Sequence, residues 1–359
     1  MSSVLKYTRY IFASGFMFGS APTFFVVWTG WRGISLLLPK WLFQKIDDDL
    51  FGAYQKLVLF FYEHITGLKI YFSGDLECFK KEESILYFSN HQSTVDWVIC
   101  NAVAIRQKSI GHLRYVMKYS LQALPLYGFY FYEHGCIYVK RGSFKPRKML
   151  QALDYLKHPK IKSWIVVFPE GTRFVPNHPA IEKSKKAAED ADLPVLRNLL
   201  TPRHKGSWLI FESMQHSLDA VYNVTCIYGS TIQKNGRQKA PQLDDILLGR
   251  CKEVHINVKR VPIHDVPVNE DEFRKWLHML YYENDKLLDS FYNLTDPLPI
   301  TAGGKQLKLR ISETLPSFVF FASLLIPLGF SSWWRTLYLK TCALGTLGGY
   351  VWLAIRSVA

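Results

Sequence analysis

Residues 10–28 form a stretch of nineteen with no charge, most of them apolar. At ~1.5 Å rise per residue, a helix of that length matches the hydrocarbon core of a bilayer. Lys6 and Arg9 precede it, and Trp28, Trp31 and Arg32 close it, the interfacial anchors expected of a membrane helix. Pro22 is placed to kink it. Residues 34–43 are also apolar but are broken by Pro39 and Lys40, so they are expected to lie along the interface. A short apolar core followed by a small-residue cleavage site is lacking, which argues against a cleaved signal peptide.

The other end of the chain carries a second membrane signature. Residues 315–330 and 337–355 are apolar runs separated by Ser331-Ser332-Trp333-Trp334-Arg335-Thr336, the pattern of a helical hairpin. Gly345 and Gly349 fall on one helix face and permit close approach, and packing within the hairpin is expected in preference to dimerisation. Lys305, Lys308 and Arg310 before the hairpin and Arg356 after it place the middle of the chain in the cytosol. Lys340 inside the second run leaves partial insertion as an alternative.

Between these ends, short β-branched and aromatic runs at 68–72, 85–88, 113–117, 136–139, 164–168, 221–228 and 254–258 read as strands. Helix-compatible segments such as 95–106 and 148–157 separate them, which predicts an α/β domain. Residues 182–200 also read as helical, and 235–241 as a polar loop. The expected partition is an N-terminal anchor at 1–44, a catalytic domain at 45–310 and a membrane hairpin at 311–359.

Lys and Arg number 44 against 30 Asp and Glu, a net charge of +14. That excess suits an anionic lipid surface, a phosphorylated substrate or nucleic acid. No nucleic-acid module is recognisable, so nucleic acid is not an expected partner. The six cysteines lack any paired spacing and read as reduced thiols. No P-loop, no GxGxxG and no clustered metal ligands occur, so neither a cofactor nor a metal is expected. Asn223-Val224-Thr225 and Asn293-Leu294-Thr295 are glycosylation sequons that would matter only in a lumenal domain.

Three stretches carry the chemistry. Asn90-His91-Gln92-Ser93-Thr94-Val95-Asp96 follows the second expected strand, the strand-to-helix turn where α/β folds place ligands. Ser93 as a helix cap would set Asp96 in the first turn, within reach of His91. An imidazole, with an ordinary pKa of ~6.5, can take a proton from an alcohol, while an ionised aspartate fixes its tautomer. The same pattern also suits a plain capping box beside an idle loop histidine. Ser93 itself is a candidate nucleophile, although no GxSxG elbow surrounds it. Amides of the turn after Asn90 are candidates to stabilise an oxyanion.

In the second stretch, Phe168-Pro169-Glu170-Gly171-Thr172-Arg173 follows the fifth strand. Gly171 allows exposed amides, Thr172 offers a hydroxyl and Arg173 a planar fork for phosphate. Glu170 is expected to hold Arg173 or a neighbouring loop. In the third, Lys140 and Arg141 end the fourth strand and open a run of cations that reaches Lys162 with Asp154 alone opposing it. Phosphates would be attracted there, and a solvated strand end is the plainer alternative.

The NHxxxxD block at 90–96, the Gly-to-Arg block at 135–141 and the FPEGTR block at 168–173 together resemble the glycerolipid acyltransferases. Lys118-Tyr119-Ser120-Leu121 with Pro125 and Gly128, and apolar segments at both ends, point within them to the 1-acylglycerol-3-phosphate acyltransferases. The resemblance covers most of the chain. It implies a mixed sheet flanked by helices, catalysis by His91 and Asp96, and acceptor binding by Lys140, Arg141, Glu170, Gly171, Thr172 and Arg173. The substrates it implies are acyl-CoA, as co-substrate, and lysophosphatidic acid or a related lysophospholipid. The protein would lie among membrane lipids of the endoplasmic reticulum or the mitochondrial outer surface. A fourth block of the family, a proline-containing apolar strand, is not matched cleanly. Leu193-Pro194-Val195-Leu196 has the proline but reads as helix, and the strand at 221–228 has none. A thioesterase or a catalytically silent lipid-binding protein are the competing classes.

Overall fold

Every run read as a strand becomes one, with ends shifted by a few residues. In a computed structural model describing residues 3–140, 146–232, 237–292 and 304–358, the strands are β1 (Lys69–Gly74), β2 (Ile85–Ser89), β3 (Leu113–Lys118), β4 (Ile137–Val139), β5 (Trp164–Val167), β6 (Ala220–Tyr228), β7 (Glu253–Pro262) and β8 (Lys305–Gln306). The helices are α1 (Ser3–Gly19), α2 (Ala21–Ser35), α3 (Lys40–Leu59), α4 (Asp96–Arg106), α5 (Tyr127–Glu133), α6 (Pro146–Asp154), α7 (Ala180–Glu189), α8 (His204–Met214), α9 (Leu243–Leu247), α10 (Glu270–Tyr292), α11 (Ile311–Leu325), α12 (Ser332–Lys340) and α13 (Thr346–Val358). By contact the chain divides into two compact units, one of residues 62–109 and 164–309, the other of 1–61, 110–163 and 310–359.

The first of these units is built on a mixed sheet in the order β5-β2-β6-β7-β1-β8. β2 runs parallel to both β5 and β6, β7 is antiparallel to β6, and β1 returns parallel to β7. Every residue of β2, β5 and β6 is buried, which explains why these strands read as continuous apolar runs instead of alternating ones. Asn223 and Asn284 exchange reciprocal amide hydrogen bonds at 2.8 Å inside this core. Asn223 is 2% exposed and Thr225 1%, so the first sequon is closed to glycosylation in the folded chain. The second falls outside the described residues.

One expectation fails here. The helix expected over 182–200 ends at Glu189, because Asp192 turns left-handed (φ 52°) and Pro194 cannot continue it. Beyond that turn the Asp285 carboxylate, from α10, accepts the amides of Arg197 and Asn198 at 2.9 and 2.6 Å. Leu193-Pro194-Val195-Leu196 is therefore irregular chain, followed by two residues held by a distant carboxylate.

In the other unit β3 and β4 pair in parallel. Among the described residues, two helical stretches are long and apolar enough to cross a membrane, Ser3–Ser35 and Ile311–Gly329. Pro22 sits in the first turn of α2, where its missing N–H costs no helical bond. The region expected along the interface is a turn, with Leu37 92% exposed, followed by the start of α3. Phe318 of α11 stacks on Phe16 and Phe60 at centroid distances of 5.0 and 4.6 Å, and Phe321 meets Phe24 and Tyr54. The second arm of the expected hairpin is one continuous helical stretch, α12 running through a π-helical turn at Thr341–Gly345 into α13. Gly345 makes its close approach to the N-cap of α5 and to α2: a Cβ there would lie 2.6 Å from Leu126 and 3.2 Å from Phe25.

Asp47, Asp48 and His134 converge in this unit with metal-ligand donors close together. Those donors are already engaged. Asp47 takes Trp28 Nε1 at 2.8 Å and His134 Nδ1 at 2.5 Å, while Asp48 takes Arg114 Nη2 at 2.5 Å and Gln44 at 2.6 Å. With the Arg114 guanidinium on Asp48 and the imidazole on Asp47, these groups form a buried charge network.

Candidate active site

Because β2 and β5 are parallel neighbours, the loops that leave them emerge at the same edge of the sheet. Asn90 fixes the first loop. Its carboxamide donates to the Cys226 carbonyl at 3.0 Å and accepts the Cys226 amide at 2.7 Å, adding a side-chain rung to the ladder with β6 while the main chain turns away.

His91 follows, and both its backbone groups are tied to the second loop. Its amide donates to Glu170 Oε1 at 2.7 Å, and its carbonyl accepts the Phe174 amide at 2.7 Å. The imidazole lies on the Phe168 ring, centroids 4.5 Å apart. Nδ1 meets Asp96 Oδ2 at 2.7 Å. A carboxylate there selects the tautomer with the proton on Nδ1 and leaves a lone pair on Nε2. The His91 side chain is 24% exposed and that of Asp96 only 3%, so the pair opens to solvent through the imidazole.

Asp96 is the first residue of α4, where the helix dipole favours a negative charge. Besides the imidazole, Oδ2 accepts the amides of Gln92 and Ser93 at 2.8 and 2.9 Å. Oδ1 accepts the Tyr228 hydroxyl at 2.7 Å. The capping expected of Ser93 is reduced to one bond, from the Val95 amide just before α4, while Asp96 reaches back to hold the turn. The Ser93 hydroxyl donates to the Pro241 carbonyl and accepts the Val95 amide at 3.0 Å, so it is not available as a nucleophile. The amides of residues 91–93 are likewise committed and are not the oxyanion donors.

Glu170 is 2% exposed and links two loops, accepting His91 N with one oxygen and Leu200 N with the other, at 2.9 Å. It does not hold Arg173. Burial pushes its carboxyl up to about 8, against the opposing pull of those two amides. Gly171 has φ +66°, a conformation that needs glycine, and Thr172 is half-buried. Arg173 is exposed with no ion-pair partner among the described residues. His91, Asp96 and the 170–173 turn are therefore brought together. Lys140 is exposed after β4 in the other unit, and Arg141 lies outside the described residues.

Two contributors escaped the sequence reading. Tyr228, the last residue of β6, holds Asp96; a phenol closing a mostly apolar strand was the available signal. Arg237 donates to Gln92 Oε1 at 2.8 Å and to the Asn198 carbonyl at 2.6 Å, its guanidinium between the rings of Phe174 and Tyr292. Within a polar loop nothing marked it.

Residues 71–228 match the acyltransferase family and residues 245–322 the acyltransferase C-terminus. Over 355 residues, 97% of this chain and 97% of the relative, the sequence is 39% identical to 1-acyl-sn-glycerol-3-phosphate acyltransferase epsilon of Mus musculus. The chain belongs to the 1-acyl-sn-glycerol-3-phosphate acyltransferases. Within that family it is also 34% identical to the probable acyltransferase 5 of Arabidopsis thaliana, over 70% of this chain and 64% of the relative. To the delta acyltransferase of Homo sapiens it is 27% identical, over 80% of this chain and 73% of the relative. The acyltransferase match ends on Tyr228, so it encloses both loops of the site and the phenol behind Asp96.

Proposed function

We propose that this acyltransferase moves the acyl group of acyl-CoA onto the free hydroxyl of 1-acylglycerol-3-phosphate, giving phosphatidic acid and free coenzyme A. The carrying observation is the His91–Asp96 pair, with Nδ1 engaged at 2.7 Å and the imidazole edge open. His91 Nε2 accepts the hydroxyl proton as the acceptor oxygen attacks the thioester carbonyl. Asp96 stabilises the imidazolium, and Tyr228 and two amides keep that carboxylate aimed. When the tetrahedral intermediate collapses, the C–S bond breaks and the thiolate takes the proton from the imidazolium. No acyl-enzyme is required, consistent with a committed Ser93 hydroxyl.

Glu170 shapes the site through the backbone of His91, while Gly171, Thr172 and Arg173, with Lys140 and Arg141, bind phosphate oxygens of the substrates. No cofactor or metal takes part in this scheme. Two apolar helices of spanning length support a membrane location, proposed as the endoplasmic reticulum or the mitochondrial outer membrane with a cytosol-facing site. The test incubates purified protein with acyl-CoA and a panel of lysophospholipids and identifies products by mass spectrometry. Phosphatidic acid is expected; free fatty acid without an acylated acceptor would identify a thioesterase instead.

A further inference from the structure

The outer face of the 169–173 turn carries a feature that the three blocks did not announce. The chain from Leu200 to Arg203 docks on that turn through two bonds, Leu200 N to Glu170 Oε2 at 2.9 Å and Arg203 N to the Pro169 carbonyl at 2.8 Å. The stem of Arg203 then crosses Gly171 so closely that a Cβ there would lie 3.2 Å from its Cδ and 3.3 Å from its Nε. Gly171 is thus required twice, for its positive φ and as the seat of this arginine.

The guanidinium of Arg203 is exposed and has no carboxylate partner among the described residues. The one carboxylate of the turn, Glu170, is buried and faces two amides. Glu270, the first residue of α10, is taken at 3.3 Å by His204, the first residue of α8. Arg173 emerges from the same turn, also unpaired. Two planar forks, one packed over Gly171 and one two residues beyond it, thus have no carboxylate partner among the described residues.

We propose that Arg203 is a specificity-determining residue that, with Arg173, binds a terminal phosphomonoester, so that an acceptor with an unsubstituted phosphate is preferred over one carrying a head group. This rests on the acyltransferase reading above. A phosphomonoester offers three terminal oxygens and up to two charges, enough to engage both forks. A phosphodiester offers two free oxygens and one charge, and satisfies one fork. The same phosphomonoester chemistry occurs on the lipid acceptor and on the 3′-phosphate of coenzyme A.

The test uses the full-length protein in mixed micelles, as wild type, Arg203→Gln and Arg203→Lys. KM and kcat are measured for 1-acylglycerol-3-phosphate and for its phosphoglycerol ester, each with acyl-CoA and with acyl-3′-dephospho-CoA. Arg203→Gln is expected to raise KM for the phosphomonoester acceptor on the order of tenfold or more, with kcat nearly unchanged and the diester acceptor little affected. Arg203→Lys should fall between. Retained selectivity in Arg203→Gln, or an equal loss for both acceptors, overturns the proposal. Loss of the advantage of acyl-CoA over its dephospho form, with lipid selectivity intact, overturns it by moving Arg203 to the coenzyme. Equilibrium binding of 1-acylglycerol-3-phosphate to wild type and Arg203→Gln separates the two readings. If wild type transfers to no acceptor yet binds this lipid at least tenfold more tightly than the variant, the acyltransferase reading falls and Arg203 stands. Equal binding overturns the role of Arg203.

Discussion

The molecule contains two histidine–aspartate pairs of almost the same local geometry and opposite consequence. His91 meets Asp96 at 2.7 Å with the imidazole 24% exposed; His134 meets Asp47 at 2.5 Å with both side chains fully buried. In the first, Nε2 faces outward and Asp96 gathers two amides and a phenol. In the second, Arg114 Nη1 donates to His134 Nε2 at 2.8 Å, Phe51 stacks on the ring at 3.9 Å, and no substrate can reach either nitrogen. Burial and the nearby Arg114 charge hold His134 below the usual histidine range, and so neutral. A hydrogen-bonded dyad is thus a base only where the far nitrogen is open.

The sharpest way to break this contrast is to remove each histidine. His91→Ala should lower turnover by ~10²–10⁴-fold while thermal stability and lysophospholipid binding stay near wild type. Retained turnover would sink the general base. Asp96→Asn should follow closely, since an amide cannot stabilise the imidazolium.

His134→Ala should do the reverse. It strips a partner from the buried Asp47 and Arg114, at a cost on the order of 3–5 kcal/mol, with little change in turnover per folded molecule. Denaturation curves in detergent alongside specific activity decide this. A stable variant with lost turnover would make the second pair functional.

Glu170→Gln gives a smaller effect with a diagnostic pH dependence. The folded carboxyl titrates near about 8 instead of 4.5, so the native state keeps a proton that the unfolded chain releases. That contribution is fully present below about 4.5 and is lost as pH rises through about 8, by at most ~1.4 kcal/mol per pH unit. Relative to Glu170→Gln, wild-type stability should therefore decline between pH 5 and 8. Parallel stability profiles would show that Glu170 is ionised throughout.

Smallest, Tyr228→Phe removes one of four donors to Asp96. A fall in kcat of roughly tenfold, at constant KM and with a shifted pH–rate profile, is expected from a lost charge-assisted bond. An unmoved pH profile would reduce Tyr228 to packing.

Much of this contrast was legible in the sequence because it is local. The spacing from His91 to Asp96 brings imidazole and carboxylate within reach across one turn, and strands buried on both faces declare themselves as apolar runs. The bonds that give the turn its meaning are not local. Asp96 reaches back to two amides of the turn, and the Pro241 carbonyl, from far along the sequence, takes the proton of the Ser93 hydroxyl. Residues 193–200 have helix-compatible composition, yet Asp285 claims two of their amides and Glu170 a third. Nor could composition tell the His91 pair from the His134 pair, since access is a property of packing.

The stacking of Phe318 and Phe321 against α1, α2 and α3 bears on the order in which a ribosome delivers the chain. The first sixty residues emerge with Phe16, Phe24, Tyr54 and Phe60 lacking the ring contacts that the last fifty supply. Throughout translation of the intervening catalytic loops, lipid or a chaperone must shield that surface. A premature stop codon before Ile311 would therefore leave a nascent product with its dyad encoded and its N-terminal aromatics uncovered, a substrate for quality control before it is a weakly anchored enzyme.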